Sequence, residues 1–315
     1  MKILFITANR VGDAVLTTGL LSWLEKNYPD ATFTIACGPY GADIFRATPR
    51  LERLIVIEKK KWNKHWFDLW KACVGTKWDL IVDMRNSLAS RFLYAKKIAV
   101  HKSKKGLHKV LENAAVLGLA PPPSPVIWTT PEAEAEADAL IPTNTPILAL
   151  GPAANWPYKQ WPVQHFIILI GALTAQGGLL ANASVMVLAD GSEREQIAPL
   201  LKAIPDDKRI EVIGKGLQTA AACLKRASLY VGNDSGLMHL AAALGVPTVG
   251  LFGVGYPDIY GPWGDKCAAV TTPETRDELW ARLASSNPPP KTLMDNLSVA
   301  HVVEAAKKVL KRSDA

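Results

Sequence analysis

The chain has 315 residues, 49% apolar and 21% charged, the balance of a folded protein with material for two hydrophobic cores and little scope for disorder. The formal net charge of +7 is uneven: residues 1–141 carry +6 and residues 142–315 carry +1. The most apolar window, 166–189, is broken by Gln176, Gly177, Gly178 and Asn182, which excludes a membrane span, and Arg10 and Asp13 interrupt the opening run too early for a signal peptide.

From the N-terminus, residues 2–7 read as a buried strand and 13–27 as a helix, with Leu16, Leu20, Leu21 and Leu24 on one face. Between them Gly12 allows a tight turn, and Asp13 stands where a helix cap would. That carboxylate is either a cap or a base at the rim of a cleft. Strands are predicted at 32–37, 53–58 and 79–84. The excess Lys and Arg cluster at 58–66 and 95–109, which is either a solvated face or a surface for a polyanion or an anionic membrane. Five prolines in 120–131 make a stiff connection, and the chain divides into domains 1–141 and 142–315.

Strands resume at 147–151, 184–189, 210–214, 229–233 and 247–253. Helices are expected between them at 163–176 and 193–203, and an amphipathic helix closes the chain at 298–312. Two blocks of strand–helix alternation predict two parallel-sheet α/β domains, with ligands beyond the carboxyl ends of the strands. The four cysteines (Cys37, Cys73, Cys223, Cys267) lack metal or disulfide spacing, so buried thiols in a reducing, cytoplasmic compartment are expected.

Two strand ends in the second block carry unusual chemistry. In "GPAANWPYKQWP" (151–162) four small residues permit close ligand approach, and Lys159 lies between Trp156 and Trp161, placed to meet a phosphate. In "LYVGNDSGLMHLAAALGVPTVGLFG" (229–253) a buried strand ends at a glycine-containing turn and an apolar helix begins at once. Free N–H groups and the helix dipole there suit an anion; Ser235 adds a hydroxyl and His239 lies one turn in. Competing motifs fail. "GVGYPD" (253–258) lacks the third glycine of a dinucleotide fingerprint. There is no Walker loop, no G-x-S-x-G elbow, no metal-ligand spacing and no D-x-D pair; Asp206 and Asp207 fall in a surface turn.

The strings at 233–253, at 159–162 ("KQWP") and at 11–24 ("VGDAVLTTGLLSWL") together resemble glycosyltransferase family 9, the lipopolysaccharide heptosyltransferases. Residues 78–90, 108–119 and 294–306 fit the same pattern, so the resemblance spans nearly the whole chain. It implies a GT-B fold: two facing Rossmann-like domains with parallel sheets and a deep interdomain cleft, the terminal helix able to pack back on the first domain. It implies an inverting transferase using neither metal nor cofactor, which moves a sugar, expected to be heptose from ADP-heptose, to a lipopolysaccharide core acceptor. Asp13 matches the general base and Lys159 the lysine on the donor phosphates. Ala154, Asn155 and the run Asp234, Ser235, Gly236, Leu237, Met238 and His239 match the rest of the donor site, with Glu193 on the ribose and Glu195 competing for that role. An anionic lipid-linked saccharide would meet Arg10, Lys102, Lys104, Lys105 and His108 at the cytoplasmic face of the inner membrane; no nucleic-acid partner is expected. Gln160 departs from the arginine of many members. A nucleotide-sugar epimerase of the same fold and a non-catalytic polyanion-binding homologue are the alternatives.

Overall fold

The computed structural model describes residues 1–104, 106–141 and 145–313. Two compact units divide at Thr130 and Pro131.

The first unit runs β1 (Lys2–Ile6), α1 (Val11–Asn27), β2 (Thr32–Cys37), β3 (Leu51–Val56), α2 (Lys64–Cys73), β4 (Trp78–Asp83), α3 (Leu88–Arg91), β5 (Ala95–Val100) and α4 (Lys109–Ala114). Its strands form one parallel sheet in the order β3-β2-β1-β4-β5. The apolar runs of β1, β2 and β4 make them buried central strands, as parallel sheets covered on both faces require. β5 was not expected from the sequence. Lys96 and Lys97 lie on this edge strand and face water, where lysine discourages further strand pairing.

The second unit runs α5 (Pro131–Leu140), β6 (Ile147–Gly151), α6 (Val163–Thr174), β7 (Ser184–Ala189), α7 (Arg194–Ala203), β8 (Arg209–Ile213), α8 (Leu217–Leu224), β9 (Leu229–Asn233), α9 (Gly236–Ala243), β10 (Thr248–Phe252), α10 (Pro257–Tyr260), β11 (Cys267–Thr271), α11 (Arg276–Ser285) and α12 (Val299–Lys311). Its six parallel strands are ordered β11-β10-β9-β6-β7-β8. In both sheets the order reverses beside the first strand, between β1 and β4 and between β6 and β9. Open α/β sheets bind ligands at such switch points.

Two points of organisation follow from the packing. The boundary expected at 141/142 falls after α5, yet α5 belongs to the second unit. Glu134 and Asp138 pair with Arg226, and Lys225 also reaches Glu134. Moving this acidic helix across sharpens the charge asymmetry: the first unit has twenty Lys and Arg against ten Asp and Glu, +10, and the second sixteen against nineteen, −3. The terminal helix packs on the core of the second unit. Val302, Ala305, Ala306 and Val309 of α12 are buried in the cluster built on β6, β7 and β9. Cys37, Cys73 and Cys223 are buried as expected, while Cys267 is only partly buried; burial pushes Cys37 up to about 12 and Cys73 up to about 11, far from nucleophilic use.

Candidate functional site

In the second unit both chemistry-bearing segments leave strands at the switch point. Gly151 and Gly232 sit opposite each other at the ends of β6 and β9. The residue that fixes the loop after β6 is Asn233, wholly buried. Its Oδ1 accepts from the Trp161 N–H at 3.0 Å and its Nδ2 donates to the Pro152 carbonyl at 2.7 Å. Trp161 is 1% exposed, packs on Phe166, and donates Nε1–H to the Leu297 carbonyl at 2.8 Å. The tryptophans therefore do not sandwich Lys159. Trp161 anchors the loop in the core, and Trp156 packs on Tyr158 and Trp280.

So held, Lys159 ends a short 3₁₀ turn, and its Nζ lies 2.5 Å from Asp234 Oδ2. Asp234 stands just before α9, so cation, carboxylate and free helix N–H groups converge on one spot. Gly255 makes room for the carboxylate: a Cβ there would stand 2.6 Å from Asp234 Oδ2.

Ser235 occupies the N-cap position of α9 but makes no capping bond. Its Oγ is buried beside the Tyr230 hydroxyl. Tyr230, a fully buried residue of β9, turns its hydroxyl toward Ser235. The sheet is cut away to admit that phenol: a Cβ on Gly151 would lie 2.0 Å from the Tyr230 hydroxyl, and one on Gly232 2.3 Å. Burial pushes the Tyr230 phenol upward, and Ser235 acts against that rise. Phenylalanine would fill the same channel without a polar atom, so the buried hydroxyl is there for a polar contact.

The other expected donor-site residues divide. Gly236 and Leu237 begin α9, half-buried, and His239 is buried one turn in. The Met238 side chain is wholly buried against Gly250, where a Cβ would stand 2.3 Å from its sulfur, so only its backbone is left for a ligand. Asn155 is exposed; Ala154 is buried and its carbonyl accepts from Gln160 Nε2 at 2.6 Å. Glu193, half-buried beyond β7, accepts the Asp190 N–H at 2.8 Å in a capping box. Burial, against that hydrogen bond, pushes its pKa up. Glu195 is exposed on α7.

In the first unit Asp13 is not the cap. Arg10 holds that position without a side-chain bond, and Asp13 is the third residue of α1. Burial raises its pKa, opposed by Arg10, Lys109 and Arg85, and burial wins. Arg85 arrives from the neighbouring strand end. Asp83, wholly buried, accepts the Arg85 N–H at 2.9 Å and the Ser87 N–H at 2.8 Å, and Arg85 Nη1 donates to Asn9 Oδ1 at 2.8 Å. Lys109 is held by buried Glu112, 2.5 Å from its Oε2. Glu112 also accepts the Lys104 N–H at 3.1 Å and lies 3.2 Å from His101 Nε2. Burial works against its ionised form, but Lys109 and the Lys104 N–H outweigh it and its pKa is lowered. Asp83, Arg85, Lys109 and Glu112 were absent from the sequence-based site; a buried acid at a strand end was the available signal for Asp83.

Of the expected acceptor residues, Arg10, Lys102 and Lys104 are exposed, and His108 caps α4 by accepting the Val110 N–H at 3.2 Å. Lys105 lies outside the described residues.

The two parallel α/β units are of GT-B type, one carrying a lysine, a carboxylate and a helix N-terminus at its switch point and the other a half-buried carboxylate near three cations, the architecture of a class of glycosyltransferases. Residues 96–279 match the family model for glycosyltransferase family 9 (heptosyltransferase), and the chain belongs to that family. It is 23% identical over 313 residues to lipooligosaccharide heptosyltransferase 2 of Haemophilus influenzae, covering 86% of this chain and 88% of that one. It is 27% identical over 303 residues to an Escherichia coli lipopolysaccharide heptosyltransferase 3, covering 81% and 84%. Its fold superposes on the solved E. coli ADP-heptose heptosyltransferase II with a TM-score of 0.74 at 21% identity, over the full length of both chains.

Proposed function

We propose that this glycosyltransferase moves a heptosyl residue from ADP-heptose to a lipopolysaccharide core acceptor, with inversion and without a metal. The single observation that carries the reading is the meeting of Lys159, Asp234 and the α9 N-terminus at the β6/β9 switch point. The family and the names of its relatives supply the sugar and the acceptor. An acceptor hydroxyl attacks the anomeric carbon. A new C–O bond forms as the bond to the diphosphate breaks, and the electron pair leaves with ADP. Asp13 takes the hydroxyl proton; its raised pKa suits a base better than an exposed aspartate's. Lys159, the α9 N–H groups and Ser235 take up the charge that develops on the leaving diphosphate, and Glu193 contacts the ribose. Arg10, Arg85 and Lys109 ring the base with positive charge, suited to an anionic acceptor.

Among the described residues no three His, Cys, Asp or Glu side chains lie together as a metal cluster, and the cation and N–H groups of the cradle supply positive charge where a metal would. Heptosyl transfer should therefore persist in EDTA. Activity lost in chelator and restored by magnesium would overturn that part of the reading.

The buried hydroxyl of Tyr230, beside Ser235, gives a second test. Tyr230→Phe keeps the ring in its glycine-lined channel and removes only the phenolic O–H. The ADP-free protein should melt no lower than the parent. Donor affinity should fall roughly 2- to 10-fold, the scale of one hydrogen bond. A lower melting temperature with unchanged ADP affinity would make the hydroxyl a core group with no part in donor binding.

A further inference from the structure

The carboxyl ends of β6, β9, β10 and β11 lie side by side along one edge of the second sheet. The turn into α9 leaves from β9. It is flanked by the Lys159 loop after β6 and by residues 253–256 after β10. The second of these loops lies against Asp234, since a Cβ on Gly255 would stand 2.6 Å from its Oδ2. Arg276 begins α11, beyond the edge strand β11, and reaches back to this loop. Its Nε donates to the Val254 carbonyl at 3.1 Å. Its guanidinium lies over the Tyr256 ring, 4.3 Å from the centroid, with the Trp280 ring at 5.8 Å. These contacts fix a half-buried cation beside the loop that closes on Asp234.

Every other arginine of the second unit gives a terminal guanidinium nitrogen to a protein oxygen: Arg194 to Glu211, Arg209 to Asp206, Arg226 to Asp138, Arg282 to Asp295 and Arg312 to the Asp265 carbonyl. The terminal nitrogens of Arg276 have no such partner among the described residues. Glu274, two residues before it, turns instead to Asn296 and Arg282. An arginine bound at Nε and held on ring faces has little freedom left to lose, and its planar fork matches the oxygens of a phosphate. The same rings connect it to the lysine: Trp280 packs on Trp156 at 5.5 Å and Trp156 on Tyr158 at 5.3 Å, the residue before Lys159. One aromatic wall thus carries a cation at each end. Lys159 and Asp234 form an ion pair without net charge, so that pair alone does not balance a diphosphate.

We propose that Arg276 is a second cation of the donor site, its terminal N–H groups binding diphosphate oxygens of the nucleotide while Nε and the Tyr256 and Trp280 rings hold the fork in place. The inference rests on the proposed nucleoside-diphosphate donor and adds a positive charge that the Lys159–Asp234 pair lacks. As the bond to the anomeric carbon breaks, its electron pair stays with the diphosphate, and a fixed guanidinium stabilises the charge that develops there.

ADP and adenosine are titrated calorimetrically into the whole protein and its variants. Arg276→Gln should weaken ADP binding roughly tenfold, the scale of one lost charge-assisted hydrogen bond, and leave adenosine binding unchanged. Arg276→Lys should recover part of the loss, because it restores the charge without the planar fork. Equal ADP affinity in the parent and Arg276→Gln overturns the proposal. So does an equal loss of ADP and adenosine affinity, which would make the arginine a support for the Tyr256 and Trp280 rings, and so does an Arg276→Lys protein that binds ADP no better than Arg276→Gln. If Lys159→Ala weakens ADP binding and Arg276→Gln does not, the proposed donor site stands and this inference falls. A parent that binds no ADP strikes the proposed function and the inference together.

Discussion

Asp13→Asn should lower turnover by roughly two to four orders of magnitude, the usual worth of a positioned general base. The amide keeps the shape of the carboxyl and cannot take the proton. ADP affinity should stay near that of the parent, because the residues assigned to the donor belong to the second unit. Burial outweighs Arg10, Lys109 and Arg85 in setting the pKa of Asp13, and the net shift is upward. The base must be ionised to act, so the acid limb of the parent's turnover should lie above the ordinary aspartate value of 3.8, and the residual activity of the variant should lack that limb. The same shift fixes a sign for stability. A carboxyl whose pKa is higher folded than unfolded favours the native state when protonated, and loses that contribution as pH rises through the two values. Asp13→Asn should therefore be at least as stable as the parent at neutral pH, and its advantage should vanish in acid below the unfolded pKa. Active sites often carry such local cost. A folded Asp13→Asn protein with near-normal turnover would leave Asp13 as a residue of the first helical turn and nothing more.

Lys159→Ala should weaken ADP binding roughly tenfold to a hundredfold, as expected for losing a charge-assisted contact of about 1.5–3 kcal/mol. In the protein the lysine also neutralises Asp234 at 2.5 Å. Its removal leaves a carboxylate facing the incoming diphosphate, and that repulsion adds to the lost attraction. The loop should keep its place, because Asn233 and Trp161 hold it and Lys159 does not. Calorimetric titration with ADP reads the effect; unchanged affinity in a folded variant would remove Lys159 from the donor site.

The central strands and the α9 mouth were legible because both depend on local pattern: apolar runs bounded by small residues, and a turn running straight into an apolar helix. β5 was hidden by Lys96 and Lys97, which an edge strand tolerates and a run-based reading takes for a charged loop. β11, "CAAVT", is too short and too small in its side chains to stand out. The domain boundary moved because the ion pairs of α5 with Lys225 and Arg226 join residues roughly ninety positions apart, which no local window contains. At the site, Asp13, Lys159 and Asp234 could be named singly, but that Lys159 and Asp234 pair could not. The sequence also sets Arg10 near Asp13, which argues for a lowered pKa. Only the fold shows how far that carboxyl is withdrawn from water, and burial reverses the sign. Met238 lies inside the motif, and helix periodicity turns its side chain into the core against Gly250.

The most direct test of the account is the mass of isolated lipopolysaccharide core oligosaccharide lacking heptose, after incubation with the protein and ADP-heptose in the presence of EDTA. The account predicts a gain of one heptosyl residue per acceptor, stoichiometric release of ADP, and no gain with the Asp13→Asn protein. An acceptor of unchanged mass, with a protein that binds ADP under the same conditions, would contradict it.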